Sequence, residues 1–193
     1  MNKYPERKPN RLKEYDYSQS GYYYVTICTQ NREYIFGDIS NDAMILNQCG
    51  EIVRNSWLDI PNHHKDIQLD AVIIMPNHIH GIIIINNPCF VLPCRQAGGR
   101  QAVGNRPACS VNKNNNLSVI IGSYKSTVTK QINRIINTAF QWQKSFHDHI
   151  IRTTDSLNNI REYIVNNPLT WNNDENNPIN HKVTVQAGLN PTG

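Results

Sequence analysis

The chain of 193 residues has few charged side chains, no long apolar run and no CxxC cysteine pair. Charged residues make up 18% of it and hydrophobic residues 39%, a balance that excludes a charge-solvated disordered protein. Without a run of about 18 apolar residues, a membrane-spanning helix and a membrane partner are not expected. The first residues lack the apolar segment of a signal peptide, so we expect a cytoplasmic protein. Five cysteines without a CxxC pair favour free thiols over a disulfide scaffold or a zinc ribbon.

The net charge of +4 is the sum of segments that carry opposite charges. Residues 1–13 carry +4, residues 14–70 carry −6 and residues 71–154 carry +8. A strongly basic stretch is typical of a protein that presents a positive face to a polyanion. A solvated surface of uneven charge explains the pattern equally well, so charge alone leaves both interpretations open.

Composition divides the chain into a basic N-terminal arm (residues 1–14), one domain (residues 15–180) and a C-terminal tail (residues 181–193). Inside the domain, residues 86–116 hold three of the five cysteines, a tandem Arg-Gln-Ala repeat and a run of three asparagines. Such a segment predicts a long and flexible insertion.

Hydrophobic periodicity predicts the element order β, α, β, β, α, β, α. The predicted strands are Gly21–Thr29, Gln68–Met75, His78–Ile85 and a short one near His149–Arg152, and the predicted helices are Asn47–Ile60, Leu117–Asn137 and Ser156–Asn166. The apolar ends of the second and third strands predict central strands that are buried on both faces. The order as a whole predicts an α+β domain in which helices cover an antiparallel sheet.

A His-x-His pair opens the third predicted strand. Because side chains alternate along a strand, His78 and His80 project from one face, while Ile79 enters the other. Two imidazoles on one face can converge on a single metal ion. Two histidines on a solvated strand face would give the same spacing.

The last predicted helix carries a tyrosine and an asparagine one turn apart. Tyr163 and Asn167 lie four residues apart and therefore share a helix face. A tyrosine hydroxyl can attack phosphorus, and an asparagine carbonyl can ligate a hard cation. The spacing is common by chance, and a half-buried packing tyrosine is the plainer interpretation of the pattern.

Four linked motifs of the chain resemble the REP-associated tyrosine transposases, relatives of the bacterial single-tyrosine HUH transposases. The motifs are Val72–Gly81, Trp142–Phe146, His149–Arg152 and Ile160–Pro168, and they follow the order of the family within residues 15–180. The resemblance implies the HUH nuclease fold, a ferredoxin/RRM-like antiparallel sheet with helices packed on it. This fold agrees with the element order predicted above.

The resemblance also implies site residues and a reaction. His78 and His80 match the pair that binds Mg²⁺ or Mn²⁺, Asn167 matches the third metal ligand, and Tyr163 matches the nucleophile. The implied enzyme, a monomer or homodimer, cleaves single-stranded DNA at hairpin-bearing, REP-like elements. It forms a 5′-phosphotyrosine and a free 3′-hydroxyl, and reversal on another strand completes the transfer.

Basic side chains near these motifs are candidate contacts to DNA phosphates: Lys125, Lys130, Arg134 and Arg152. A solvated helix face explains the first three equally well. Tyr124 lies on the apolar stripe of the same predicted helix, so we expect it in the core rather than at the site.

Two other hypotheses remain open. One is a nucleic-acid-binding protein that keeps the fold and the basic face but is catalytically inactive. The other is a structural protein stabilised by zinc at His78, His80 and a cysteine. Only a nuclease requires the Tyr163 hydroxyl to lie within a few ångströms of a site shared by His78, His80 and Asn167.

Overall fold

The computed structural model describes residues 15–87, 116–136 and 139–180. The predicted arm (1–14), most of the predicted insertion (88–115) and the predicted tail (181–193) lie outside the described residues. The strands are β1 (Gly21–Cys28), β2 (Gly37–Ser40), β3 (Ala43–Leu46), β4 (Ile67–Ile74), β5 (His78–Ile85) and β6 (His147–Ile151). The helices are α1 (Gln48–Leu58), α2 (Ile60–His63), α3 (Leu117–Ile132) and α4 (Thr154–Asn166), and a 3₁₀ helix, Asn167–Asn173, follows α4 directly.

The main sheet has four antiparallel strands in the order β4-β5-β1-β6, which confirms the predicted α+β class. Strand β5 is buried along nearly its whole length, as predicted. The prediction that the second strand is also central was wrong, because β4 lies at the edge of the sheet and most of its residues are half-buried. Its apolar side chains enter the clusters on both faces, but the edge position leaves them half-buried.

Helices pack on both faces of the sheet. One face carries Val25, Ile27 and Ile79 against α1 and α3, and the Tyr124 side chain is buried there, as predicted. The other face carries Ile82 and Ile151 against α4. The histidines of β5 alternate with Ile79, so they share the face of α4.

Two helix boundaries differ from the prediction. Helix α3 ends at Ile132 rather than Asn137, and Ile135, predicted on its apolar stripe, is 40% exposed. Helix α4 begins two residues earlier than predicted because Thr153, rather than Asp155, is its N-cap and accepts a hydrogen bond from the Ser156 backbone. A threonine hydroxyl satisfies a free N–H of the first turn, as an aspartate would.

A two-stranded hairpin of β2 and β3 was not predicted. Its turn residues, Asn41 and Asp42, have φ angles of 49° and 58°. Asparagine and aspartate tolerate this left-handed region, which two-residue hairpin turns require. The strands have only four residues each, too few for the alternation of apolar side chains to stand out.

A glycine in β5 lets α1 approach the sheet closely. A Cβ atom on Gly81 would lie 2.4 Å from Cζ2 of Trp57, whose side chain is fully buried. Any larger residue there would displace the indole ring, so Gly81 is required by packing next to the histidine pair. Of the helices in the described ranges, none combines the length and the apolar character that a membrane crossing needs.

Candidate metal and tyrosine site

The two histidines of β5 face each other beneath α4. Both side chains are buried, and their Nε2 atoms lie 2.9 Å apart. Two nitrogens at this distance share either a proton or a cation, because two lone pairs that point at each other repel. The pair is therefore a candidate ligand set rather than a solvated strand face.

The tautomer of His78 is set by its neighbour Asn77. The Asn77 amide donates to the backbone carbonyls of Arg32 and Asn176, so its Oδ1 is left as an acceptor. The Nδ1 of His78 lies 2.8 Å from that oxygen and donates to it. Burial, aided by the charge of Arg32, lowers the pKa of His78 to about 3. At neutral pH the ring is uncharged, and Nε2 carries a lone pair toward the site.

His80 is held from its other side by hydroxyl groups. Its Nδ1 lies 2.7 Å from the hydroxyl of Tyr24 and 2.9 Å from Oγ1 of Thr26. Burial holds the pKa of His80 well below its usual range; His78 lowers it further, and Asp174 opposes the shift. Both rings are thus neutral imidazoles at pH 7, the form that ligates metal ions.

A carboxylate that the sequence did not suggest completes the group. Ligand atoms of His78, His80 and Asp174 all lie within 4.8 Å of one another, and all three side chains are buried. Asp174 follows the 3₁₀ helix in a polar stretch that resembles an ordinary loop, and no local pattern marks it. Its position depends on the 3₁₀ helix that follows α4 and ends at this residue.

Tyr163 lies at the open side of this group. Its hydroxyl is 3.5 Å from Nε2 of His80, its ring is edge-on to the imidazole, and 44% of the residue is exposed. Burial, Asp174 and Glu175 raise the pKa of Tyr163, while a hydrogen bond from Asn167 acts in the opposite direction. The geometry that a nuclease requires between Tyr163 and the histidines is present within one chain.

Asn167 joins the same cluster through its amide group. The residue is fully buried, and its Nδ2 donates to Oδ2 of Asp174 across 3.3 Å. Among the described residues, no group forms a hydrogen bond with its Oδ1. A buried amide oxygen without such a partner, next to two inward imidazole nitrogens and a carboxylate, fits a site for a divalent cation.

Three of the predicted DNA contacts lie away from the histidine face. Lys125, Lys130 and Arg134 belong to α3 or the turn after it, and α3 packs on the opposite face of the sheet. Lys125 donates to the carbonyl of Gln143. Arg152 is exposed directly after β6. These four residues are not brought together with Tyr163.

A polar cleft that the sequence did not predict lies nearer to the histidines than the basic residues of α3 do. It has a volume of about 740 Å³ and is lined by Gln30, Asn31, Arg32, Gln143, Lys144, Ser145 and Pro178. The carbonyl of Arg32 accepts the hydrogen bond from Asn77, and the guanidinium of Arg32 donates to the Glu175 carbonyl. This cleft is a better-placed candidate surface for phosphates than α3.

The zinc hypothesis required a cysteine beside the histidines. In the part of the chain that the structure describes, the metal-capable group contains an aspartate and no cysteine. Cys28 lies opposite His78 in the register of β1 and β5, but its thiol donates to Oδ1 of Asn176. The donor set of two imidazoles and a carboxylate differs from the thiolate-rich set of structural zinc sites.

Comparison with known proteins identifies a relative in sequence and neighbours in structure. No family model matches the sequence. An uncharacterised protein of Haemophilus influenzae is 35% identical over 179 residues, and the match covers 88% of this chain and 92% of that protein. A REP-associated tyrosine transposase bound to a REP hairpin superimposes with a TM-score of 0.52 at 15% identity, over 89% of this chain and 74% of that one. The chain therefore belongs to one family with the Haemophilus influenzae protein and has the fold of the REP-associated tyrosine transposase.

Proposed function

We propose that the protein is a metal-dependent endonuclease and strand transferase that acts on single-stranded, hairpin-bearing DNA through a 5′-phosphotyrosine. The observation that carries the proposal is the distance of 3.5 Å between the Tyr163 hydroxyl and Nε2 of His80. A nucleophilic oxygen thereby lies beside two neutral imidazoles that can ligate a cation. The hairpin bound by the structural neighbour supports DNA of this kind as the substrate.

The residues that would hold Mg²⁺ or Mn²⁺ are His78 and His80, together with an oxygen ligand from Asn167 or Asp174. Both imidazoles are held in place through their Nδ1 atoms, so each presents Nε2 without rearrangement. A bound divalent cation would withdraw charge from the phosphate oxygens and orient them.

Tyr163 would form the covalent bond to DNA. Its oxygen attacks the scissile phosphorus, and the bond from phosphorus to the 3′-oxygen breaks. The phenol loses one proton and the departing 3′-oxygen gains one, which leaves a 5′-phosphotyrosine and a free 3′-hydroxyl. Because one phosphodiester replaces another, the 3′-hydroxyl of a second strand can reverse the step and release the tyrosine.

The surroundings of Tyr163 disfavour the ionised form of its hydroxyl before the reaction. Burial, together with the negative charges of Asp174 and Glu175, raises the pKa of Tyr163. His80, whose pKa lies well below its usual range, is a poor proton acceptor at pH 7. Its contribution is therefore to ligate the cation and to contact the hydroxyl rather than to act as a general base.

The proposal is tested with a panel of end-labelled single-stranded hairpin oligonucleotides, incubated with Mn²⁺ and resolved on a denaturing gel. The wild-type protein is expected to give a covalent adduct and a shortened strand, and a chelator should abolish both. Tyr163→Phe should lose the adduct and the cleavage while it retains DNA binding in a mobility-shift assay. Cleavage by Tyr163→Phe at the wild-type rate would refute the role of Tyr163.

A matched tyrosine provides the control. Tyr22 is 37% exposed on the same sheet face and makes no contact with the histidine pair in the described site. Tyr22→Phe should therefore cleave at the wild-type rate. If the wild-type protein binds hairpin DNA but forms no adduct with any member of the panel, the alternative of an inactive nucleic-acid-binding protein is favoured instead.

A further inference from the structure

We propose that the cleft lined by Arg32 and Lys144 binds one unpaired nucleotide of the substrate strand, close to the phosphate that Tyr163 attacks. The two cationic side chains contact the phosphate of this nucleotide. The proposal rests on the proposed function, because the same strand must reach Tyr163. It gives the cleft a ligand of one chemical class, a single-stranded polynucleotide.

Positive charge surrounds the cleft. In the described part of the chain, its lining includes two cationic side chains, those of Arg32 and Lys144, and no acidic one. A third cation adjoins one wall, because the ammonium group of Lys125 donates to the backbone carbonyl of Gln143 across 2.6 Å. Lysine and arginine side chains in such clusters bind the phosphates of nucleic acids. The charge of the cleft therefore favours a polyanion as its ligand.

The size and the uncharged lining of the cleft suit a single nucleotide. Gln30, Asn31 and Gln143 carry amides that both donate and accept hydrogen bonds, as the edges of nucleobases do. The volume of about 740 Å³ lies within the range of about 300–1,000 Å³ that is typical of small-ligand pockets. A space of this size admits a nucleotide but not a duplex, so we expect unpaired DNA to enter it.

The two walls of the cleft are held by the main sheet. One wall, the short 3₁₀ turn Gln30–Arg32, follows β1, and the other, residues 143–145, precedes β6. Thr29 and Trp142, the residues just before the two walls, are joined by an antiparallel bridge. Because both walls continue paired strands, the cleft is formed before any ligand binds, and binding does not have to order it.

The wall that carries Arg32 has an unusual backbone. Asn31 and Arg32 have φ angles of 55° and 56°, in the left-handed region. Asparagine visits this region readily, whereas a long side chain such as that of arginine is disfavoured there. Strained residues of this kind cluster at ligand sites, where the surrounding structure enforces the conformation. The backbone thus supports a binding role for this wall.

Arg32 joins the cleft to the histidine site. Its carbonyl accepts a hydrogen bond of 3.0 Å from the side chain of Asn77, which directly precedes His78. Its guanidinium donates to the carbonyl of Glu175, the residue after Asp174. Burial and then the charge of Arg32 lower the pKa of His78. A strand in the cleft therefore lies beside the histidines, where it can hold a nucleotide close to the reacting phosphate.

The charge on Lys144 is tested by DNA binding without metal, so that cleavage does not interfere. Full-length protein in chelator is titrated into labelled oligothymidine at several salt concentrations, and binding is followed by fluorescence anisotropy. Lys144→Gln should weaken binding about fivefold at about 0.1 M salt, because one phosphate contact to a single strand changes the slope of log affinity against log salt by about 0.7. Lys144 is exposed, so we expect the variant to fold normally.

The matched control is Lys130→Gln. Lys130 is an exposed lysine of α3, on the opposite side of the sheet, and its variant should keep the wild-type affinity and salt slope. Arg32→Gln should weaken binding as Lys144→Gln does, with circular dichroism to verify its folding. If Arg32→Gln does not fold, Lys144→Gln decides. Wild-type affinity in Lys144→Gln or in folded Arg32→Gln, or an equal loss in Lys130→Gln, would overturn the proposal.

The place of the strand is tested by disulfide trapping. An oligothymidine carries a thiol tethered to one backbone phosphate and activated as a mixed disulfide. Exchange with Ser145→Cys, in the cleft, should form the protein–DNA disulfide on the order of tenfold faster than with wild type, because bound DNA has a high effective concentration there. Ser126→Cys, exposed on α3, should react at the wild-type rate. Equal trapping at the two positions would contradict binding in the cleft.

These measurements fail separately from the proposed function. If Lys144→Gln loses DNA affinity but no hairpin gives an adduct with the wild-type protein, the cleft binds DNA and the nuclease is wrong. If the adduct forms and Lys144→Gln binds oligothymidine as the wild type does, the nuclease holds and the role of the cleft is wrong.

Discussion

The hydroxyl of Tyr24 lies 2.7 Å from Nδ1 of His80, the ring nitrogen that does not face His78. The two rings are also stacked, with centroids 5.6 Å apart and an angle of 21° between their planes. Tyr24 and His80 come from neighbouring strands, β1 and β5, so the geometry of the sheet sets this contact. Because Nδ1 contacts the Tyr24 hydroxyl, Nε2 is the atom that faces His78 and Tyr163.

Tyr24→Phe should weaken Mn²⁺ binding by about tenfold, since a residue that orients a ligand typically costs 10- to 100-fold when it is removed. The phenyl ring keeps the stacking, so the thermal midpoint should change little. Adding Thr26→Val removes the second hydroxyl at Nδ1 and should weaken binding further. Calorimetric titration checks both variants against Tyr22→Phe, and an unchanged affinity in the double variant would show that the hydroxyl contacts do not orient His80.

Arg161 joins the helix that carries Tyr163 to the edge of the sheet. Its Nη2 lies 2.6 Å from Oδ2 of Asp70, and its Nε lies 3.1 Å from Oδ1, at an irregular point of β4 between Leu69 and Val72. The guanidinium is partly exposed, so Arg161→Met should leave the free energy of unfolding almost unchanged. The rate of adduct formation should nevertheless fall by about tenfold, because a displaced nucleophile reacts slowly.

The control for Arg161 is an ion-paired arginine of similar exposure elsewhere. Arg54 pairs with Glu51 on α1, which packs on the opposite face of the sheet. Arg54→Met should leave the rate of adduct formation unchanged. A rate equal to wild type in Arg161→Met would mean that α4 is positioned by its apolar contacts alone.

The stability of the metal-free protein should fall as the solution is acidified below pH 6.5. Burial lowers the pKa of His78 to about 3 and holds that of His80 well below its usual range. In the unfolded chain both titrate near pH 6.5, so below that pH the unfolded state binds more protons than the folded state. The free energy of unfolding should then drop by about 1.4 kcal/mol per pH unit for each buried histidine.

Urea unfolding at pH 7.5, 6.5 and 5.5 in the presence of a chelator measures this dependence. The double variant His78→Gln/His80→Gln should show a flatter profile, because its buried amides do not titrate. Equal wild-type stability at pH 5.5 and pH 7.5 would show that the histidine pair accepts protons without cost in the folded protein.

Local periodicity accounts for the elements that were predicted correctly. Alternation along β5 placed His78 and His80 on one face, and the i, i+3, i+4 stripe of α3 buried Tyr124 in the core. The errors lie where a local signal is weak or ambiguous: the end of α3, the N-cap of α4 and the short hairpin of β2 and β3. The same ambiguity explains β4, since an apolar run has the same appearance at the edge of a sheet as at its centre.

The sequence alone determined the spacings within single elements: the His-x-His pair on a strand, and Tyr163 and Asn167 one turn apart at the end of a helix. Only the tertiary structure decided what these groups meet. The register of β1 against β5 brings Thr26 opposite His80, and the 3₁₀ helix after α4 brings Asp174 to the histidines. Asp174 lies 94 residues after His80 in the sequence, and contacts over such separations depend on how the elements pack rather than on any periodicity within them.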